Sequence, residues 1–368
     1  MTKVKQGIFF NLAFVFLSHA SSAHAGVERE LYRGIEPLAM GNAYIAIADD
    51  EHAIFYNPAG VAAYSGMKLH YLTLQATTSE DALNLRDTLK DVKDFSGADL
   101  NQFMGKNIYG NPNASASLTV PHFGIAAIYD AEVALYAKNQ SFPKIEYGYQ
   151  RTSGVQAAFG FSTQQGRKRG YGRRNSDFMS EWRFGAAGKY LVRRGGYRVL
   201  TPIQLASMNS EQIRSMVDGK GSGYGFDLGV QRFHRISPRS ALHFGAAYTN
   251  IGDIAFGDGA DAVKSGVGAG VGWSQDLGIG IATLAYDMRQ INAQADWRKM
   301  QHVGLRFSFP LLIDLYAGMN QTYLTYGASV DIWLLKVTAA SYREEVGVVS
   351  AIDPERRYSI RVDFKFGL

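Results

Sequence analysis

The last twelve residues of the chain alternate without a break. Tyr358, Ile360, Val362, Phe364, Phe366 and Leu368 fall on one side, and Arg357, Ser359, Arg361, Asp363, Lys365 and Gly367 on the other. In a strand, successive side chains point to opposite faces. This segment therefore presents six apolar positions back to back with a charged face. The same rhythm recurs upstream. Trp182, Phe184 and Ala186 alternate with Arg183, Gly185 and Ala187, and Val303, Leu305, Phe307 and Phe309 with His302, Gly304, Arg306 and Ser308. Leu242, Phe244, Ala246 and Tyr248 follow suit, and glycine alternates through Gly266, Gly268, Gly270 and Gly272. Strands of this kind have two solutions: an apolar core with water outside, or hydrocarbon outside with a wet lumen.

Composition narrows the choice. Hydrophobic residues make up 46% of the 368-residue chain, too few for a bundle of membrane helices. Forty glycines, 21 Tyr and 21 Phe suit a membrane barrel, in which only every second strand residue meets lipid. They also suit a soluble β-sandwich or propeller. The most apolar late stretch, 310–319, is broken by Asp314 and falls short of a spanning helix. A membrane form of this chain must then be a closed barrel, because only closure satisfies every backbone group in lipid. The chain has no cysteine, which excludes thiol catalysis, disulfides, cysteine zinc sites and lipoprotein anchoring.

The first 25 residues read as an address. Lys3 and Lys5 precede an apolar run from Ile8 to Leu17, interrupted by Asn11, and Ala23-His24-Ala25 gives a cleavage site. Residues 1–25 are thus expected to be a signal peptide, cut after Ala25. Residues 26–66 do not alternate and are expected to form a compact, partly helical plug. Residues 67–368 are expected to form the transmembrane barrel. Fourteen strands are expected there, at about 67–76, 114–120, 123–138, 144–163, 180–194, 221–235, 240–253, 264–276, 279–290, 299–309, 312–320, 323–333, 335–344 and 356–367. Connections after strands 2, 6, 8, 10 and 12 are short, and several after odd strands are long, as for periplasmic turns and outer loops, but the basic link at 163–179 after strand 4 breaks the pattern and is either a long periplasmic loop or a sign of a different strand count there. Two outer connections, 79–103 and 201–217, have helical patterning, the first capped by Ser79. Their apolar residues, among them Leu85, Leu89, Leu205 and Met208, either receive a hydrophobic ligand at the mouth or pack together to close it.

Within the plug, Leu38-Ala39-Met40-Gly41 is followed by Ala48-Asp49-Asp50 and then Tyr56-Asn57-Pro58-Ala59-Gly60. This spacing resembles the opening of the FadL-type outer-membrane barrels and their PorV-like relatives, over about 30 residues. The resemblance implies an all-β transmembrane antiparallel barrel of about 14 strands, with its N-terminal segment folded inside. In FadL-type members such barrels pass long-chain fatty acids or other hydrophobic molecules. In PorV-like members they serve protein secretion and surface attachment. One departure is Leu368, since many outer-membrane barrels end in Phe or Trp and here Phe366 is two positions inside.

The leading expectation is an outer-membrane barrel passing hydrophobic small molecules passively, with membrane lipid and such a ligand as its partners. The alternative is a non-transporting barrel that serves a secreted or surface protein. Asn57, Pro58, Ala59 and Gly60 read first as a turn that lets the plug backbone pack against the wall, and second as part of a gate, with Tyr56. Asp49, Asp50 and Glu51 are expected to pair with lumen arginines such as Arg183, Arg306 or Arg361. No cofactor is implied. The histidines show neither HxxxH nor HExxH spacing and no GxSxG is present, so an enzyme is not expected. The basic run at 166–174 reads as a solvated loop or as a contact for phosphates of lipid, lipopolysaccharide or nucleic acid, the last not expected.

Overall fold

The computed structural model describes residues 30–87, 103–138, 144–163, 180–201, 204, 210–257, 259–293, 296–310, 312–347 and 352–367. The expected signal peptide and the basic run at 166–174 lie outside them. Among the described residues, fourteen strands form one closed antiparallel barrel in sequential order, with β1 pairing β14. The strands are β1 (Lys68–Ser79), β2 (Asn107–Val120), β3 (Phe123–Lys138), β4 (Lys144–Ser162), β5 (Ser180–Leu200), β6 (Lys220–Ser237) and β7 (Ser240–Thr249), then β8 (Gly266–Asp276), β9 (Ile281–Met288), β10 (Gln301–Ser308), β11 (Ile313–Asn320), β12 (Tyr323–Ile332), β13 (Leu335–Glu345) and β14 (Pro354–Gly367). Short helical pieces accompany them: α1 (Ile35–Ala39), α2 (Ala53–Tyr56), a 3-10 segment (Pro58–Ala63), α3 (Glu80–Asn84) and α4 (Ser210–Met216).

The alternation sets the two faces of the wall. In β14, Ile360 is 51% exposed while Arg361 and Asp363 beside it are buried. The outer face carries Leu74, Phe159, Phe226, Leu228, Leu324 and Ile332, all exposed. An apolar outer face on a closed wall is that of a membrane-spanning barrel. Among the described residues no helix is long and apolar enough to cross a membrane.

Three strand ends depart most from expectation, and one of them is β5, which runs on to Leu200 rather than stopping at 194. β2 begins at Asn107 rather than 114. Its early residues, Asn111 and Asn113, turn polar side chains inward, so no apolar rhythm marks them. Pro112 lacks an N–H, and the β2–β3 ladder skips Asn111 and Pro112. Asn111 Nδ2 makes up for this by donating to Ala131 O at 2.9 Å. β7 ends at Thr249, not 253. Asn250, Gly252 and Asp253 take φ of 53°, 79° and 62°, which turns the chain away from the wall.

Residues 30–66 lie inside the barrel. Wall glycines let them in. A Cβ on Gly318 would stand 2.5 Å from Gly41 N, one on Gly245 2.6 Å from Ile45 O, and one on Gly124 2.9 Å from Ile54 Cδ1. Gly185, Gly229 and Gly304 likewise face Pro58, Asn57 and Met40. Backbone meets backbone at Gly185, Gly245, Gly304 and Gly318, whereas Gly268 and Gly272 of the alternating run leave room for the side chains of Ile45 and Ile47. The resulting core, with Ile35, Met40, Tyr44 and Tyr56 against Ala285, Tyr316 and Ala340, joins inner segment and wall.

Candidate functional site

The inner segment is anchored at three places. Asn57 is fully buried. Its Nδ2 donates to Ile45 O at 3.0 Å and to Val230 O of β6 at 3.2 Å, and its Oδ1 accepts from Ala59 N at 3.2 Å. It thus caps the 3-10 segment and fastens it to the wall. Further round the wall, Asp287 of β9 accepts the backbone N–H groups of Tyr44 and Ile45 at 2.5 and 2.6 Å. Thr325 of β12 accepts from Gly41 N at 3.0 Å and donates to Ala39 O at 2.9 Å.

The third anchor is ionic. Arg361 of β14 donates to Glu36 at 2.9 Å, to Glu51 at 3.0 Å and to Asp363 at 3.0 Å, all with buried side chains. Glu36 also accepts from Thr338 at 3.0 Å and lies 3.2 Å from Lys336 Nζ. Burial alone would push the Glu36 carboxyl up, but Arg361 and Lys336 outweigh it and hold Glu36 well below the usual carboxylate range. Glu51 is likewise pushed up by burial and brought well below that range by His70, His52 and Arg361. Glu36, Glu51 and His52, and again Glu51, His70 and Asp363, come within ligand range of one another. The guanidinium of Arg361 already supplies positive charge to three of those carboxylates, so a metal ion there would compete with a fixed cation.

A cavity of about 60 Å³ opens between the inner segment and a stretch of wall made by β4, β5, β7, β8 and the residues just after β9. Tyr32, Ile45, Phe55, Tyr56 and Ala247 give it apolar walls. Tyr32 and Phe55 stack at 3.9 Å, and Arg289 lies 4.7 Å from the Tyr56 ring centre. Its ionisable lining is paired throughout: Arg289 with Glu30 at 2.7 Å, Lys189 with Asp227 at 2.8 Å, and Lys264 with Asp253 at 3.0 Å. Ligand pockets ordinarily measure about 300–1,000 Å³, so this conformation is closed. The β7–β8 connection helps close it. Ile254, Phe256 and Val263 fold inward onto Ile128 and Leu191 of the wall, with Leu31 and Phe55 packed against them.

The residues singled out in the sequence fall in several places. Tyr56, Asn57, Pro58, Ala59 and Gly60 sit together between inner segment and wall, and Tyr56 donates to Asn42 at 2.8 Å. Asp50 accepts from Tyr44 Oη and from His52 N, whereas Asp49 is exposed. Glu51 does meet Arg361, but Arg183 pairs with Glu181 at 3.1 Å. Arg183 and Glu181 share one strand, two positions apart. Leu85 is half-buried against the cluster of Phe103, Ile108 and Leu135, just past the helix that Ser79 caps. Leu89, Leu205 and Met208 lie outside the described residues. Sequence reading missed Glu36, Asp287, Lys189 and Asp227. The last three occupy inward positions of alternating strands, and that phase was the available signal.

No protein-family model matches the chain, and no curated protein matches its sequence. Solved structures with a similar fold include the Pseudomonas putida toluene transporter TodX, at 14% identity and a TM-score of 0.48 over 94% of this chain and 99% of that one. They include the Ralstonia pickettii toluene transporter TbuX, at 14% and 0.48 over 91% and 98%. A Pseudomonas aeruginosa FadL homologue is similar at 11% identity and 0.32, over 93% and 99%.

Proposed function

We propose that this chain is an outer-membrane channel for small, uncharged hydrophobic molecules, held shut here by its inner segment and the β7–β8 connection. The observation that carries this reading is the cavity under the long connections, walled by Tyr32, Ile45, Phe55 and Tyr56 and with every charged side chain of its lining already paired. An uncharged apolar molecule would replace water there without breaking an ion pair. The carboxylate of a fatty acid would be desolvated with no unclaimed cation to meet it. The ligand would spread the cavity by moving flexible side chains, and passage would follow displacement of the inner segment from the wall.

The test is uptake into proteoliposomes. Wild-type protein should speed uptake of a labelled neutral aromatic compound more than that of a labelled fatty acid. Ala247→Phe, which fills the cavity, should abolish the difference. Inserted wild-type barrels that speed neither compound would overturn the reading and leave a scaffold for another protein as the better account.

A further inference from the structure

The outer wall carries a row of positive charge where the membrane reading calls for apolar residues. Arg151 of β4 stands directly opposite Arg194 of β5, which stands directly opposite Lys220 of β6. All three face outward: they are exposed, while Thr152 and Arg193 beside them are buried in the lumen. Adjacent strands are about 4.8 Å apart, so three cations share about 10 Å of wall. Like charges placed directly opposite repel. One carboxylate relieves them: Asp218 accepts from Arg194 at 2.7 and 3.0 Å. Among the described residues no salt bridge reaches Arg151 or Lys220. A second outward pair repeats the arrangement on the other side of the β1–β14 seam. Arg343 of β13 stands opposite Arg356 of β14, with Glu80 3.6 Å from Arg356.

Both groups lie at the long-connection end, just beyond outward tyrosines on the same face. Tyr190 and Tyr224 precede the first, their rings 5.0 Å apart, and Tyr326 and Tyr358 precede the second. Outward tyrosines mark the boundary between hydrocarbon and headgroups on a barrel. Cations one or two positions further out therefore stand at headgroup depth, where phosphates lie.

We propose that Arg151, Arg194 and Lys220 form a binding site on the outer wall for the phosphate of an anionic lipid, in the leaflet around the long connections. Its anion relieves the repulsion that Asp218 leaves uncompensated. The site rests on the membrane placement of the barrel and is independent of what passes through the lumen.

Native mass spectrometry of the full chain in detergent tests this, with phosphatidylglycerol or phosphatidylcholine added at equal concentration. Wild type should retain phosphatidylglycerol preferentially. Each neutralised cation should weaken retention about fivefold, and Arg151→Gln/Arg194→Gln/Lys220→Gln together about a hundredfold. The charge-conserving Arg151→Lys/Arg194→Lys/Lys220→Arg variant should keep the preference. Asp218→Asn should strengthen it, an outcome that misfolding cannot mimic. Equal retention of both lipids by wild type, or unchanged retention by a triple Gln variant whose folded gel mobility is intact, would overturn the proposal. Displacement of the bound lipid by inorganic phosphate would overturn it too, since the site would then take the free ion. A barrel that stays soluble without detergent would instead remove the membrane reading itself.

Discussion

Arg361 reaches from the wall into the inner segment and donates to Glu36 at 2.9 Å, with both side chains buried. Two hundred and more residues of barrel must close before they meet. Because Arg361 also serves Glu51 and Asp363, its removal takes a cation from three buried carboxylates at once, leaving Glu36 to Lys336 and Thr338. Arg361→Met should therefore destabilise the docked inner segment by about 3–5 kcal/mol, the usual result of breaking a buried pair on one side. Glu36→Gln should cost less, because Arg361 keeps its other two partners. Limited proteolysis of detergent-folded protein, followed at the inner segment, should rank the two variants in that order.

The wall glycines make a sharper distinction. Gly318→Ala places a methyl 2.5 Å from Gly41 N and 2.6 Å from Val303 O, so backbone has to move. Overpacking of this kind costs about 1–3 kcal/mol or more. Gly110→Ala puts the same methyl into open space and should change stability by less than about 0.5 kcal/mol. Unfolding midpoints in guanidinium measure both. Equal effects would mean that Gly318 does not face the inner segment closely.

The barrel was legible because its signal is local and repeated. In β14 the phase of Ile360 and Arg361 alone tells lipid from lumen, and the structure places them so. The ends of β2 and β7 were not legible. Asn111 and Asn113 are polar on the lumen face, so β2 lacks apolar contrast there, and β7 ends through the positive φ of Asn250 rather than through loss of apolar residues. The lumen contacts were hidden for a different reason. Glu36 and Lys336 meet only through closure of the sheet, and no spacing along the chain encodes that distance. The inward phase of Asp287 and Asp227 was in view, but period two reports a face and not a partner.

Acid should loosen the ionic anchor late. Glu36 and Glu51 are held well below the ordinary carboxylate range when docked. Their stabilisation is thus fully present above the unfolded carboxylate pKa of about 4.3 and fades as pH falls through the lower, docked values. His52 and His70 face the same carboxylates, as do Arg361, Lys336 and Asp363. Burial pushes the His52 imidazole down, but Asp50 and Glu36 outweigh it and raise it above its ordinary value, so its positive charge adds attraction in mild acid. Protease resistance of the inner segment should therefore be no lower at pH 5 than at pH 7 and decline only below about pH 4. A loss between pH 7 and pH 5 would place the controlling group elsewhere.

The β7–β8 connection offers the clearest way to separate closure from docking. Phe256 is 4% exposed and packs with Ile254 and Val263 against Leu191, while Arg193 lies 4.7 Å from its ring centre. Its cluster touches the wall and, through Leu31 and Phe55, the lining of the cavity, but none of the three anchors of the inner segment. Phe256→Ala should cost about 3–5 kcal/mol of local packing, as large-to-small core changes do. That loss should fall on the connection, because the neighbouring strands keep their ladders. The expected result is a barrel that melts like wild type, keeps its inner segment protected and yet lets a small uncharged sugar swell liposomes faster. If swelling is unchanged while the connection becomes protease-sensitive, the inner segment alone holds the lumen shut. If both change together with the melting point, the connection is part of the core and not a cover over it.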